Sequence, residues 1–179
     1  APTNMNTVFT DVTIEAGIIS QRLGLPRDMV VGQAWGDVTN NGYLDLYITD
    51  TAGPNTLYLN NGDGTFSVAS YNDQVALPVA ISGGATFVDY DNDGWSDLYV
   101  VNWGGNVLYR NLQGQGFEDV TAQAGVAGDG NSKTASWGDF DGDGYLDLYV
   151  ANWSCSPRCG RPILGDKDQF YRNNGDGTF

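Results

Sequence analysis

One segment occurs three times without gaps. It reads Gly-Asp-Val-Thr-Asn-Asn-Gly-Tyr-Leu-Asp-Leu-Tyr-Ile at 36–48, recurs at 88–100, and reads Gly-Asp-Phe-Asp-Gly-Asp-Gly-Tyr-Leu-Asp-Leu-Tyr-Val at 138–150.

 The middle copy in full is Val-Asp-Tyr-Asp-Asn-Asp-Gly-Trp-Ser-Asp-Leu-Tyr-Val. The leading acids, Asp37, Asp89 and Asp139, stand 52 and 50 residues apart. A second motif trails each copy, at Leu57 to Phe66, Leu108 to Phe117 and Phe170 to Phe179. A third, Phe-x-Asp-Val-Thr-x-x-Ala-Gly, runs from Phe9 to Gly17 and again from Phe117 to Gly125. A unit of about 50 residues cannot bury its apolar face alone, so repetition at this period dictates units stacked on one another.

Each unit reads as four short strands. In the third copy, Ala135 to Trp137 leads into the Asp loop, and Leu146 to Asn152 follows it. Leu146, Leu148 and Val150 fall on one face there and Asp147, Tyr149 and Ala151 on the other, the period-2 alternation of a strand. A third strand lies around Phe170 to Arg172, and a fourth begins near Phe179. Gly-Asp-Gly and Asn-Gly-Asp-Gly supply positive-φ turns. Composition agrees: of 22 acidic residues only Glu15 and Glu118 are Glu, and Gly contributes 25 residues. Asp prefers turns and oxygen-rich loops where Glu prefers helices, so the chain is all-β.

Four strands per unit is the scale of a β-propeller blade. The expected division is an N-terminal strand and linker at 1–29, blade A at 30–80, blade B at 81–130 and an incomplete blade C at 131–179, with an insertion at 154–168. A spare strand of the fourth-strand type, Val8 to Thr13, raises the total to twelve, three blades' worth. Propellers close with about four to eight blades. The alternatives are part of a larger propeller, blades completed by neighbouring chains through exchange of the N-terminal strand, or a lone closed unit.

The chemistry lies in the nine-residue loop Asp-x-Asp-x-Asp-Gly-x-x-Asp. Loop B has Asp89, Asp91, Asp93 and Asp97; loop C has Asp139, Asp141, Asp143 and Asp147. Gly94 or Gly144 allows the reversal, and the backbone carbonyl of Trp95 or Tyr145 adds a further oxygen. Five or six hard oxygens suit Ca²⁺ better than a transition metal or Mg²⁺. Loop A is softer, with Asp37, Thr39, Asn41, the carbonyl of Tyr43 and Asp45, so its affinity is expected to be lower. An EF-hand would need Glu at position 12, where Ile48, Val100 and Val150 stand. A plain hairpin turn would explain one Asp-Gly-Asp-Gly. It does not explain four like charges placed together twice, which need a counter-ion or protonation. About three Ca²⁺ ions would bring the net charge from −14 to −8.

These residues resemble the FG-GAP/VCBS repeats. The likeness rests on Gly-Asp-Phe-Asp-Gly-Asp-Gly-Tyr-Leu-Asp-Leu-Tyr-Val-Ala-Asn followed by Phe-Tyr-Arg-Asn-Asn-Gly-Asp-Gly-Thr-Phe. It implies calcium-binding blades of an integrin-α-like β-propeller, with Ca²⁺ at loops A, B and C. Loop A departs from the pattern at Thr39 and Asn41. On activity, the resemblance implies adhesion modules, lectins, filament or surface proteins, and accessory domains of polysaccharide-degrading enzymes.

The rest of the chain narrows the function. A net charge of −14 disfavours nucleic acid and anionic membrane surfaces as partners. No apolar run reaches the roughly 20 residues of a membrane span. With no His, the commonest general base is missing, and most Asp residues are taken by the loops. The chain is therefore read as non-catalytic, with a carbohydrate-active enzyme as the rival. Cys155 and Cys159 read as a local disulfide, with free thiols the alternative. A disulfide and calcium loops together indicate a secreted or cell-surface protein. Arg158, Arg161 and Lys167 cluster in the insertion, as a solvated loop or a contact for an acidic neighbour or anionic sugar. Trp35, Trp95, Trp103, Trp137 and Trp153 recur at related places and read as blade core before sugar platforms. The expected partners are a protein or carbohydrate at a surface, or further copies of the chain.

Overall fold

The computed structural model describes residues 9–18, 32–51, 53–153 and 167–179. Among them, β1 (Gln33–Gly36), β2 (Asp45–Ile48), β3 (Thr56–Asn60) and β4 (Phe66–Val68) form the first sheet in that order. The second is β5 (Ser82–Val88), β6 (Asp97–Asn102), β7 (Val107–Asn111) and β8 (Phe117–Asp119). The third is β9 (Ser132–Gly138), β10 (Asp147–Asn152) and β11 (Gln169–Tyr171). Every pairing is antiparallel, and the registers repeat: Leu46 faces Tyr58, Leu98 faces Tyr109 and Leu148 faces Tyr171. The sheets are three consecutive blades of a β-propeller, A, B and C. The single α-helix among the described residues, α1 (Thr121–Ala124), is one turn long.

The core lies between blades. Val38, Tyr47 and Leu57 of blade A pack with Leu98, Val100, Tyr109 and Phe117 of blade B. Tyr90, Tyr99 and Leu108 on the other face of blade B pack with Leu148, Val150 and Trp137 of blade C. Strand β6 is consequently buried at all of its positions. The two fully buried tyrosines satisfy their hydroxyls: Tyr47 donates to the Val75 carbonyl at 2.6 Å and Tyr99 to that of Val126 at 2.9 Å. The inner strands approach backbone to backbone. A Cβ on Gly84 would sit 3.1 Å from the Lys133 carbonyl oxygen, so a side chain there would push β5 away from β9.

Several expectations change. The described part of the N-terminal strand is not a strand: residues 9–12 carry no ladder partner and 13–17 form a turn. Phe9 is 94% exposed. The same motif at Phe117 does form a strand, because β7 lies beside β8. Both copies grip the next unit alike, Phe66 N–H donating to the Ala16 carbonyl at 2.8 Å and Phe179 N–H to that of Ala124 at 3.0 Å. Three of the tryptophans are not core: Trp35, Trp103 and Trp153 are 52%, 56% and 51% exposed. Ala34 packs toward blade B, which turns its neighbour Trp35 the other way, while Trp103 and Trp153 follow the ends of β6 and β10. Cys155, Cys159, Arg158 and Arg161 lie outside the described residues.

Candidate metal centre

Each Asp loop joins the first two strands of its blade, so all three occupy equivalent places. The reversal uses left-handed backbone at Gly42, Gly94 and Gly144, with φ of +87°, +88° and +91°. Asp89 then curls its carboxylate back onto its own loop: Oδ1 accepts from Asp93 N–H at 3.0 Å and Oδ2 from Gly94 N–H at 2.9 Å. Asp37 and Asp139 do the same for Gly42 and Gly144.

The last Asp of each loop is the buried one. Asp97 Oδ2 accepts from Tyr90 N–H at 3.2 Å and Oδ1 from Asn111 N–H at 2.8 Å. Asp45 holds Val38 and Asn60, and Asp147 holds Phe140 and Asn173, in the same way. This carboxylate therefore ties the loop to the third strand of its blade. Burial, with the charges of Asp91 and Asp93 adding to it, pushes the Asp97 carboxyl up to about 8 against the opposing N–H bonds. Burial also raises Asp45 and Asp91. Exposed Asp139 moves the other way, lowered first by the Gly144 N–H.

In loop B, Asp89, Asp91 and Asp97 each offer an oxygen within 4.8 Å of the others; in loop C, Asp139, Asp141 and Asp147 do so. Asp93 and Asp143 stand outside these clusters and accept instead from Trp95 and Tyr145 N–H, at 2.9 and 3.0 Å. Arg172 pairs with Asp141 at 2.6 Å and Asp143 at 3.4 Å, a counter-charge on loop C. In loop A, Asn41 Oδ1 accepts from Tyr43 N–H, and Asp37 and Asp45 are the two carboxylates. The buried Thr39 Oγ1 has no hydrogen-bond partner. An oxygen-only donor set with like charges gathered around it, and an idle buried hydroxyl in the softest loop, fits a hard divalent cation. The rings of Tyr43 and Tyr145 lie against Gly62 and Gly175, where a Cβ would come within 2.9 and 2.8 Å of them.

Sequence reasoning passed over one set of residues. Asn60, Asn111 and Asn173 end the Tyr-Leu-Asn and Tyr-Arg-Asn motifs, and their N–H groups hold the buried carboxylates. Their recurrence at one place in every unit was the available signal.

A family model described as FG-GAP-like repeat matches residues 37–100 and 89–150. Cartilage acidic protein 1 of Homo sapiens is 30% identical over 116 residues, covering 63% of this chain and 17% of that protein. The Mus musculus protein of that name is 28% identical over the same length and shares. The chain thus spans about a sixth of the length of these curated relatives. Among solved structures, an Agrocybe aegerita lectin, described for specific recognition of non-reducing terminal N-acetylglucosamine, matches with a TM-score of 0.50 and 22% identity. That match covers 85% of this chain and 38% of the lectin, and shows a shared fold.

Proposed function

This chain belongs to the FG-GAP-like repeat family, and on that premise we propose that it is a secreted, calcium-stabilised β-propeller module for binding, adhesion or extracellular assembly, non-catalytic in itself. The observation that carries the reading is the pair of three-carboxylate clusters, each with one member buried at the root of its blade. Ca²⁺ is the ion: the ligands are oxygens only, on a loop flexible enough for more than octahedral coordination. Its role is structural, because each loop ties the first strand of a blade to the second and, through the buried Asp, to the third. The ligands are Asp89, Asp91, Asp93, the Trp95 carbonyl and Asp97 in loop B, and Asp139, Asp141, Asp143, the Tyr145 carbonyl and Asp147 in loop C. Loop A supplies Asp37, Thr39, Asn41, the Tyr43 carbonyl and Asp45. An extracellular setting agrees with oxygen-ligand calcium loops and with the name that the relatives carry. No helix among the described residues is long and apolar enough to cross a membrane.

Calcium at a hundredfold excess over its Kd stabilises by about 2.7 kcal/mol per site. At this chain length that is a Tm shift of about 5–10 °C per site. Excess chelator is expected to lower Tm by at least that much and CaCl2 to restore it; an unchanged melting curve would overturn the reading.

A carbohydrate partner is favoured by one surface. Trp103 N–H donates to the Ile81 carbonyl, Trp103 bridges to Asn131, and Trp153 N–H donates to the Asn131 carbonyl. Two half-exposed indoles therefore flank Asn131, and Lys133 Nζ lies 5.5 Å from the Trp153 ring centre. Indole faces and a cation beside them suit the apolar faces and acidic groups of a sugar polymer.

A further inference from the structure

The three loops are joined to one another by hydrogen bonds that cross from blade to blade. Asn40 Nδ2 donates to the Gly94 carbonyl at 3.0 Å, and Asn92 Nδ2 donates to the Gly144 carbonyl at 3.0 Å. The fourth position of one loop thereby holds the turning glycine of the next. A second set runs beneath it. Asn111 Nδ2 donates to the Val38 carbonyl at 2.9 Å, and Asn173 Nδ2 to that of Tyr90 at 2.8 Å. Val38 and Tyr90 are the residues whose N–H groups hold Asp45 and Asp97. Asn111 and Asn173 are the residues whose N–H groups hold Asp97 and Asp147.

The result is an unbroken relay. It passes from Asp45 through Val38 and Asn111 to Asp97, then through Tyr90 and Asn173 to Asp147. Every carboxylate in it is buried, as are Asn111 and Asn173. A purely local purpose does not account for the upper set. Asn40 and Asn92 have φ of +52° and +59°, a conformation Asn tolerates, but Gly142 takes the same place in loop C at +78° with no side chain. The backbone needs only a left-handed residue, and the amide at Asn40 and Asn92 is an addition used to reach the neighbour.

We propose that Asn40, Asn92, Asn111 and Asn173 are positioning residues that couple the loops, so that a divalent cation bound in one loop raises the affinity of the next. This rests on the calcium reading above. In an empty loop the gathered carboxylates repel one another. A filled loop draws them together and settles the backbone at its second and fourth positions, the places from which the bonds to the next loop run. The neighbour is then partly ordered before its own ion arrives, and ordering done in advance appears as affinity. Coupling of this kind changes affinity by about fivefold or more, and it is reciprocal between sites.

The test is titration of the chelator-stripped 179-residue chain with CaCl2, following bound ions by equilibrium dialysis and the summed tryptophan fluorescence. The wild type is expected to fill with a Hill slope above unity. Asn40→Gly and Asn92→Gly remove one inter-loop donor each and leave a residue that takes the left-handed backbone freely. Each is expected to lower the slope, and the double variant to lower it further toward unity, with the number of ions bound at saturation unchanged. Ions bound with unit slope in the wild type, or a slope that the glycine variants do not move, would overturn the coupling and leave the calcium reading standing. A wild type that binds no Ca²⁺ at all would overturn both.

Discussion

At Asp97, one carboxylate serves a loop, a strand and the proposed cation site at once. Its oxygens take N–H groups from Tyr90 and Asn111, and burial with Asp91 and Asp93 nearby lifts its carboxyl up to about 8. In the unfolded chain the same group titrates near 3.9. Between these values the metal-free folded chain holds a proton that the unfolded chain has released. Its linked stability is complete below about 4 and is lost as the pH rises through about 8. In chelator, the urea midpoint is expected to fall across that window. Asp97→Asn, which cannot titrate, should flatten the fall, and CaCl2 should reverse it in the wild type, because protons and the ion compete for the same oxygens. Equal slopes for wild type and variant would refute the assignment. The residue types and spacing of this site were plain in the sequence. Its depth was not, because nothing in a run of alternating Asp says that the ninth position is buried while the fifth faces water.

A blade is held by what covers its two faces. Leu98 points into the A–B core and is fully buried, so Leu98→Ala is expected to cost about 2–5 kcal/mol in urea denaturation. Phe140→Ala, at a position 61% exposed, should stay within about 0.5 kcal/mol. Comparable losses at both sites would contradict the packing described. Alternation located β10 and assigned its residues to two faces. It could not say that both faces of β6 would be covered while Tyr149 on β10 would stand 41% exposed. The first copy of the Phe-x-Asp-Val-Thr motif makes the same point. Its residues match those of β8, yet only the copy with a neighbouring strand becomes one.

Across the molecule, Phe140, Tyr149 and Phe170 of blade C stand where Tyr90, Tyr99 and Leu108 of blade B are buried against a neighbour. Phe140 and Phe170 meet edge to face at 4.9 Å, an apolar surface of the kind that blades A and B cover on one another. If a second copy of the chain lays its blade A on this face, it meets a surface of the same kind as the two existing interfaces. Sedimentation velocity with CaCl2 is expected to show concentration-dependent association, reduced by Phe140→Ser with Phe170→Ser. A single monomeric species at high concentration would remove self-association from the possible roles.

The repeat, the all-β class and the order of the acidic loop residues along the chain were determined by the sequence alone, because turn chemistry and period-2 alternation act over a few residues. Which carboxylate is buried, which tryptophans are exposed, and how one loop reaches the next through Asn111 and Asn173 were decided only by the tertiary structure. Those depend on partners 73 and 83 residues away, and contacts at that separation exist only once the blades have docked.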